Sequence, residues 1–393
     1  MDENATIKIV KILNCPIENN ANEEITVDLT FDESVNSYRL IGTDIDELFK
    51  NRKISYNEKY SCNALFVVDN QGKKYTLFGC SFWCGIQNIT IYVDLTFNGI
   101  LYDEHIKHMD NMKDVSFNKV ELKINYKKPL SFDFTIYDIN IALTPVYTKE
   151  CLTKEILEWL GEDFCGVYTN IIELTLSGNH KFEDYENILW RLSEFALLRY
   201  EDMFFYDTFI LSYNEKQYKY KSFRRSNNSN LRKKSLKTSN SNINIFCSNQ
   251  LDDFGKLFEK FVQFREESGI IFDVFRSTVY SQSFREDYPL RLSQTLEGLS
   301  NYWGITNTAD INSDDNFRKA ILRSIRKNNY IGEYLSNSKE KGKFCYRITE
   351  HRNCFSHVNK NKKYLQGKEN EKYAEILYST IRVLIIKHLK DEL

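Results

Sequence analysis

The sequence predicts an α+β protein in which a β-rich N-terminal region, residues 1–245, is followed by an all-α helical bundle, residues 246–393. Three observations support this class. The front of the chain alternates apolar and polar residues, which is typical of half-buried strands. The back of the chain carries apolar residues at helical spacing. Between the two lies a stretch rich in Ser and Asn, residues 226–242, with the composition of a linker or loop.

Alternation is clearest in three runs of the front region, which begin at Ile25, Ile89 and Val120. Two further runs, 65–68 and 75–78, flank the tetrapeptide Asp-Asn-Gln-Gly. Such residues favour a tight turn, so the two runs are predicted to form a hairpin. The sequence therefore predicts an antiparallel sheet.

Helical periodicity replaces alternation in two places. Two helices are predicted within residues 149–200, and a strand pair at 203–211 and 217–223 follows them. After a domain boundary near residue 245, the chain is predicted to be entirely helical. The five helices expected there span about 251–267, 289–304, 313–325, 340–358 and 369–391. Pro289 suits a first helical turn and Ser313 suits an N-cap.

Composition places the chain among globular proteins, because 42% of residues are hydrophobic and 27% are charged. No apolar run approaches the roughly 18 residues of a membrane helix, and the start lacks a secretory apolar core. The nine cysteines include no CxxC pair, which indicates reduced thiols. These features predict a cytoplasmic protein that does not contact a membrane.

No cofactor is expected, because the candidate metal ligands are incomplete. Cys80 and Cys84 have no second Cys or His pair at zinc-finger spacing, and His105 and His108 have no evident third ligand. The sequence also contains no P-loop and no dinucleotide-binding glycine motif.

Charge is distributed unevenly. The net charge is −2, yet residues 216–237 hold nine basic residues and no acid, which leaves −11 for the rest of the chain. The basic segment 216–242 interleaves cations with Tyr218, Tyr220 and Phe223, a pattern suited to phosphate contacts and base stacking. The candidate RNA-binding residues are Arg224, Arg225, Arg232 and Lys233. A solvated hairpin and loop is the alternative, and the pattern does not separate the two.

The helix predicted over residues 340–358 carries the densest polar grouping, HRNCFSH. Its buried stripe is predicted to consist of Phe344, Ile348 and Phe355. Glu350, Asn353 and His357 share the opposite face, whereas Arg352 lies about 140° from His357 on an ideal helix. The arginine and the histidine can therefore address one phosphate only if the helix distorts, the arginine reaches round, or a second protomer completes the site.

Arg352, Asn353 and His357 form the pattern R-N-x-x-x-H, which resembles the HEPN superfamily, whose ribonuclease members carry an Rx4-6H motif. The segment RLSQTLEGL, residues 291–299, resembles the second helix of the ApeA-like HEPN group. Residues 97–109 and the β-rich region around them are similar in layout to the N-terminal domain found with that group.

The resemblance implies a metal-independent endoribonuclease that works as a homodimer in bacterial anti-phage defence by abortive infection. RNA would be its substrate, and the front region would sense a phage-derived trigger. Catalysis would fall to Arg352, Asn353 and His357, giving 2′,3′-cyclic phosphate and 5′-hydroxyl ends. The alternative is a non-catalytic HEPN-like module that binds a nucleotide, RNA or a partner protein. For the polar grouping taken alone, the alternative is a solvated helical face.

Overall fold

Thirteen strands in the described residues join in one antiparallel sheet. The computed structural model describes residues 4–13, 25–32, 37–41, 59–69, 71–87, 90–97, 99–102, 116–125, 131–150, 152–161, 166–200, 206, 208–222, 254–280, 287–305, 314–328, 334–357 and 365–392. The strands are β1 (Asn4–Leu13), β2 (Ile25–Asp32), β3 (Ser37–Ile41), β4 (Lys59–Asp69), β5 (Lys74–Gln87), β6 (Thr90–Thr96), β7 (Gly99–Tyr102), β8 (Ser116–Asn125), β9 (Phe132–Ile136), β10 (Ile139–Thr148), β11 (Val167–Lys181), β12 (Thr208–Tyr213) and β13 (Lys216–Ser222).

The strand order is β4-β1-β2-β3-β6-β5-β7-β13-β12-β8-β11-β10-β9, with an additional pairing between β4 and β5. That pairing closes the first six strands into a ring of hydrogen-bonded neighbours. The other seven continue from β5 as an open run that ends at β9. The predicted antiparallel sheet is therefore confirmed.

The hairpin predicted around residues 69–72 is formed by β4 and β5, with Leu65 opposite Leu77 and Val67 opposite Tyr75. The Asp69 side chain holds the turn, because its Oδ1 accepts the backbone N–H groups of Gln71 and Lys73, each at 2.9 Å. Asp side chains favour this local bonding, which explains why the turn was legible in the sequence.

Eight helices are present in the described residues. They are α1 (Lys154–Leu160), α2 (Phe182–Tyr200), α3 (Phe254–Ser268), α4 (Ile270–Tyr280), α5 (Tyr288–Tyr302), α6 (Asp314–Lys327), α7 (Ser338–His357) and α8 (Gly367–Leu389). All seven helices predicted from periodicity are found. Together with the sheet they confirm the α+β class.

Strand β11 and helix α4 were not predicted. The sequence of α4, IIFDVFRSTVY, is rich in β-branched and aromatic residues, so its local propensity does not favour a helix. Packing decides its conformation, because Phe272 and Phe275 are buried. The Phe272 ring meets Phe261 edge-on, and the Phe275 ring stacks on Tyr378. The described C-terminal region thus has six helices, and the expected five was one too few.

Two compact units are present. The first contains Met1–Trp190 and Phe204–Asn228, and the second contains Arg191–Met203 and Ser229–Leu393. The second unit therefore includes the later part of α2 in addition to α3 to α8. Residue 245, the predicted boundary, lies outside the described residues, so that position stays a prediction.

Helix α5 is central to the second unit and packs against α4, α6, α7 and α8. Its predicted stripe consists of Leu292, Leu296, Leu299 and Trp303. The three leucines are buried, whereas Trp303 is half-buried. The predicted core residues of α6, Phe317, Ile321 and Ile325, are buried as well. Because α5 and α6 both contact α7, residues on these three helices can meet around the predicted motif.

Candidate functional site

Helix α7 carries the predicted motif and begins at a well-capped end. Asn337 Oδ1 accepts the backbone N–H of Glu340 at 3.0 Å, and Glu340 Oε2 accepts the backbone N–H of Ser336 at 2.7 Å. This reciprocal arrangement satisfies N–H groups that a helix start otherwise leaves unbonded. Phe344 and Ile348 are buried as predicted, and they fix the rotation of α7 within the unit, whereas the side chain of Phe355 lies outside the described residues.

Arg352 lies between two neighbouring helices. Its Cζ is 4.4 Å from the centroid of the Phe317 ring on α6, and its Nη2 is 3.7 Å from Glu297 Oε2 on α5. The separation from Glu297 exceeds the roughly 3.2 Å limit of an N–H···O hydrogen bond. Within the described part of the chain, no hydrogen bond engages the guanidinium. Arg352 is therefore stacked and partly neutralised while its N–H donors stay available.

Both charged groups can be reached from solvent, since the side chains of Arg352 and Glu297 are 28% and 21% exposed. Burial raises the pKa of the Glu297 carboxyl, whereas the positive charge of Arg352 lowers it. The carboxylate thus depends on the arginine to favour its ionised form.

The prediction that Asn353 lies on an exposed polar face of the helix is wrong. The Asn353 side chain is only 6% exposed, whereas the sequence placed it on a polar helix face opposite the buried stripe. The face is covered because α7 packs against both α5 and α6 rather than lying on the bundle surface. Within this chain the amide is not displayed to an RNA backbone, although its proposed role in catalysis stays a prediction.

His351 has a structural role that the sequence did not indicate. It is fully buried, and its Nδ1 accepts the backbone N–H of Leu365 at 3.1 Å, two residues before α8 begins. A histidine that accepts at Nδ1 carries its proton at Nε2 when it is neutral. His351 therefore ties the end of α7 to the start of α8.

Helix α7 ends at His357, but the side chain of His357 lies outside the described residues. The convergence of Arg352 and His357 on one phosphate stays a prediction.

The basic segment is described only up to Ser222. Arg224, Arg225, Arg232 and Lys233 lie beyond it, outside the described residues, and so do His105 and His108. Within β13, Tyr218 and Tyr220 are 9% and 3% exposed. This burial argues against base stacking by these two rings, because strand alternation turns them into the core while Gln217 and Lys219 face outward.

Phe317 is the member of the site that the sequence did not reveal as functional. Its helical spacing marked it as a core residue of α6, and it is indeed buried. Nothing in its local sequence shows that its ring faces a guanidinium, because Arg352 belongs to the next helix. Glu297 entered the sequence analysis only through the resemblance of α5.

Two other arginines of the second unit make several hydrogen bonds each. Arg265 binds Glu194 through Nε at 3.0 Å, Asp273 through Nη2 at 2.7 Å and the Gly269 carbonyl through Nη1 at 3.0 Å. Arg347, on the same helix as Arg352, bonds to Glu350 at 3.2 Å and to Glu369 at 3.1 Å. Arg352 differs from both because its donors make no such bonds to the residues that the structure describes.

Among the residues that the structure describes, no cluster of three or more His, Cys, Asp or Glu side chains is arranged to hold a metal ion. None of the described helices combines the length and the apolar character needed to cross a membrane.

The comparisons with known proteins returned no match: no family model, no curated protein and no solved structure is similar to this chain.

Proposed function

We propose that the chain is a HEPN-type endoribonuclease whose Arg352 binds the scissile phosphate of RNA. The observation that carries the proposal is the state of Arg352, whose guanidinium is stacked on Phe317, is partly exposed and makes no hydrogen bond among the described residues. A planar guanidinium in this state can grip two phosphate oxygens without first breaking a hydrogen bond.

The proposed reaction uses the RNA's own 2′-hydroxyl as nucleophile. Its oxygen attacks the adjacent phosphorus, the bond from phosphorus to the 5′-oxygen breaks, and 2′,3′-cyclic phosphate and 5′-hydroxyl ends result. Neutral His357 accepts the 2′-hydroxyl proton, and a protonated histidine donates to the departing oxygen. Arg352 stabilises the charge that develops on the remaining phosphoryl oxygens.

One histidine cannot hold both protonation states at once, so the proposal includes a homodimer. A twofold axis would place His357 of two copies on either side of one phosphate. Asn353 would orient the imidazole, which is a role compatible with its burial. No metal takes part in this scheme.

We further propose that the activity belongs to anti-phage defence by abortive infection in the cytoplasm. The β-rich unit would respond to a phage-derived trigger, and the helical unit would then cut RNA and stop growth. The support for this biological role is the resemblance of residues 291–299 and 352–357 to the ApeA-like HEPN group.

The test is an RNA cleavage assay with the purified full chain, Arg352→Ala and His357→Ala. Arg318→Ala is the matched control, because Arg318 is also an arginine over an aromatic ring, with its Cζ 5.8 Å from the centroid of Tyr346 rather than over Phe317. We expect cleavage by the wild type and by the control only, unchanged by EDTA, with 5′-hydroxyl product ends. Equal cleavage by Arg352→Ala and the wild type would overturn the proposal.

A phosphate-binding module without catalysis is the second candidate, and the same observation favours it, since uncommitted donors on Arg352 suit binding as well as cleavage. The two functions separate in one experiment. The binding module predicts that Arg352→Ala weakens RNA binding while no variant, including the wild type, yields cleaved product.

A further inference from the structure

The carboxylate nearest to Arg352 bears on how the arginine would bind RNA. Glu297 Oε2 lies 3.7 Å from Arg352 Nη2, and both side chains remain partly open to solvent. A phosphodiester that binds the guanidinium must therefore approach beside a carboxylate that is already there. Two negative charges would then face one positive charge.

We propose that Glu297 is an intramolecular competitor of the phosphate, so that its charge sets how tightly Arg352 binds RNA. This inference rests on the proposed function, in which Arg352 is the phosphate ligand. Glu297 is not a catalytic residue in this scheme, because it acts through the arginine and touches no reacting atom.

The geometry favours competition over permanent pairing. At 3.7 Å without a hydrogen bond, the Glu297 carboxylate attracts Arg352 by charge but does not lock its N–H groups. The guanidinium also lies over the Phe317 ring, with Cζ 4.4 Å from the ring centroid, and this cation–π attraction adds no hydrogen bond that a phosphate would have to break. Arg352 can thus exchange the Glu297 carboxylate for a phosphate while its guanidinium remains over the Phe317 ring.

The engaged pairs of the same bundle show the contrast. Arg347 and Glu369 form a hydrogen-bonded pair with Nη2 to Oε2 at 3.1 Å. A phosphate that replaced Glu369 would have to break this hydrogen bond. Arg347 is therefore not a comparable phosphate ligand. Glu369→Gln removes one negative charge from the unit without touching Arg352, which makes it the matched control for Glu297→Gln.

The experiment measures binding of a fully 2′-O-methylated RNA oligonucleotide, which cannot be cleaved because its attacking hydroxyls are blocked. Removing the charge of Glu297 while keeping its shape should tighten the Kd of Glu297→Gln on the order of tenfold at low salt. Glu369→Gln should change the Kd by less than about twofold, since exposed charges away from the site are screened. Circular dichroism of each variant establishes that the fold is retained.

A second variant shows whether the gain acts through Arg352. In Arg352→Ala, adding Glu297→Gln should tighten binding by less than about twofold, because the guanidinium for which the carboxylate and the phosphate compete has been removed. A tenfold gain that persists without the arginine would overturn the inference, as would unchanged or weaker binding by Glu297→Gln itself.

The outcomes also separate this inference from the proposed function. Wild-type chain that does not bind the oligonucleotide would overturn both. Binding that depends on Arg352 but not on the charge of Glu297 would overturn the competition alone and leave the proposed phosphate ligand in place.

Discussion

Two arginine sites of the helical unit put the same side chain to opposite uses. Around Glu194, which is fully buried, Arg191, Arg265 and Arg276 converge with N–O distances of 2.9, 3.0 and 3.3 Å. Around Arg352, the Glu297 carboxylate lies 3.7 Å away without a hydrogen bond, and the other contact is the ring of Phe317. The first site uses its donors in hydrogen bonds inside the fold, whereas at the second no donor is so used among the described residues. The comparison shows that two arginine sites of similar charge can differ in how many of their hydrogen-bond donors the fold occupies.

The sharpest test of that contrast is stability. Glu194→Ala leaves three arginines around a buried site without their shared carboxylate, so the free energy of unfolding should fall by about 3–5 kcal/mol. Urea unfolding followed by helical circular dichroism measures the loss. Glu369→Ala, which removes an exposed carboxylate paired with Arg347, should cost only about 0.5 kcal/mol. Similar losses for both variants would contradict a structural role for the buried cluster.

Arg352→Ala should show the reverse pattern. Stability should change by less than about 1 kcal/mol, because a partly exposed ion pair contributes little. RNA cleavage should fall by a factor on the order of 10²–10³, since a donor to the transition state is lost. Both quantities are measured on one preparation. A large loss of stability with little loss of activity would place Arg352 with the structural arginines.

Phe317→Leu tests whether the ring of Phe317 matters for its contact with Arg352 or only for the hydrophobic core. Loss of the cation–π contact is expected to weaken binding of the 2′-O-methylated RNA by roughly threefold to fivefold. The control is Phe344→Leu, because Phe344 is similarly buried and its ring stacks on Tyr373 at 4.5 Å, away from Arg352. That control should lower the melting temperature without weakening RNA binding. Equal effects of the two variants on binding would remove Phe317 from the site.

The smallest expected effect is a pH dependence of binding. Phosphate bound to Arg352 cancels the charge that lowers the pKa of Glu297, so the carboxyl's pKa rises in the complex and binding takes up a proton. Affinity should therefore increase as pH falls through the range between the free and bound pKa values, and it should be flat well above that range. We expect a change of roughly twofold to threefold.

The groups that face Glu297 make the origin of that dependence testable. From α7 the facing charge is Arg352, and from α6 the neighbouring side chain of the site is the uncharged Phe317. His357 follows Arg352 by five residues on α7, so the measurement is made in the His357→Ala background. The dependence should disappear when Glu297→Gln is added, and persistence of the full dependence would assign it to another group.

Much of the fold could be predicted from the sequence, because the spacing of apolar residues and the residue types that favour turns are local properties of the chain. Alternation predicted β2 and β8, and Asp69 predicted the turn between β4 and β5. Helical spacing likewise predicted α5 and its buried leucines. Strand β11 and helix α4 were missed for different reasons. The sequence of β11 does favour a strand, because Ile172, Leu174 and Leu176 alternate along it and are buried. In α4 the contacts of Phe272 and Phe275 outweigh a composition that does not favour a helix.

The candidate site could be predicted from the sequence only in part. Arg352 stood out as part of a motif, but the burial of Asn353 did not, because a helix that packs on two neighbours loses the polar face that periodicity assigns to it. The burial of Tyr218 and Tyr220 escaped notice for a related reason. Alternation shows that neighbouring residues point to opposite sides of a strand, but not which side the sheet covers.

The sequence by itself determined the α+β class, the antiparallel front region, most helix positions and the place of Arg352 on α7, since each follows from the spacing of residues along one element. Only the tertiary structure decided that Arg352 meets Phe317 and Glu297, that His351 secures the start of α8, and that Asn353 is buried. These contacts join residues from different elements, and their distances depend on how whole helices pack, which no local pattern encodes.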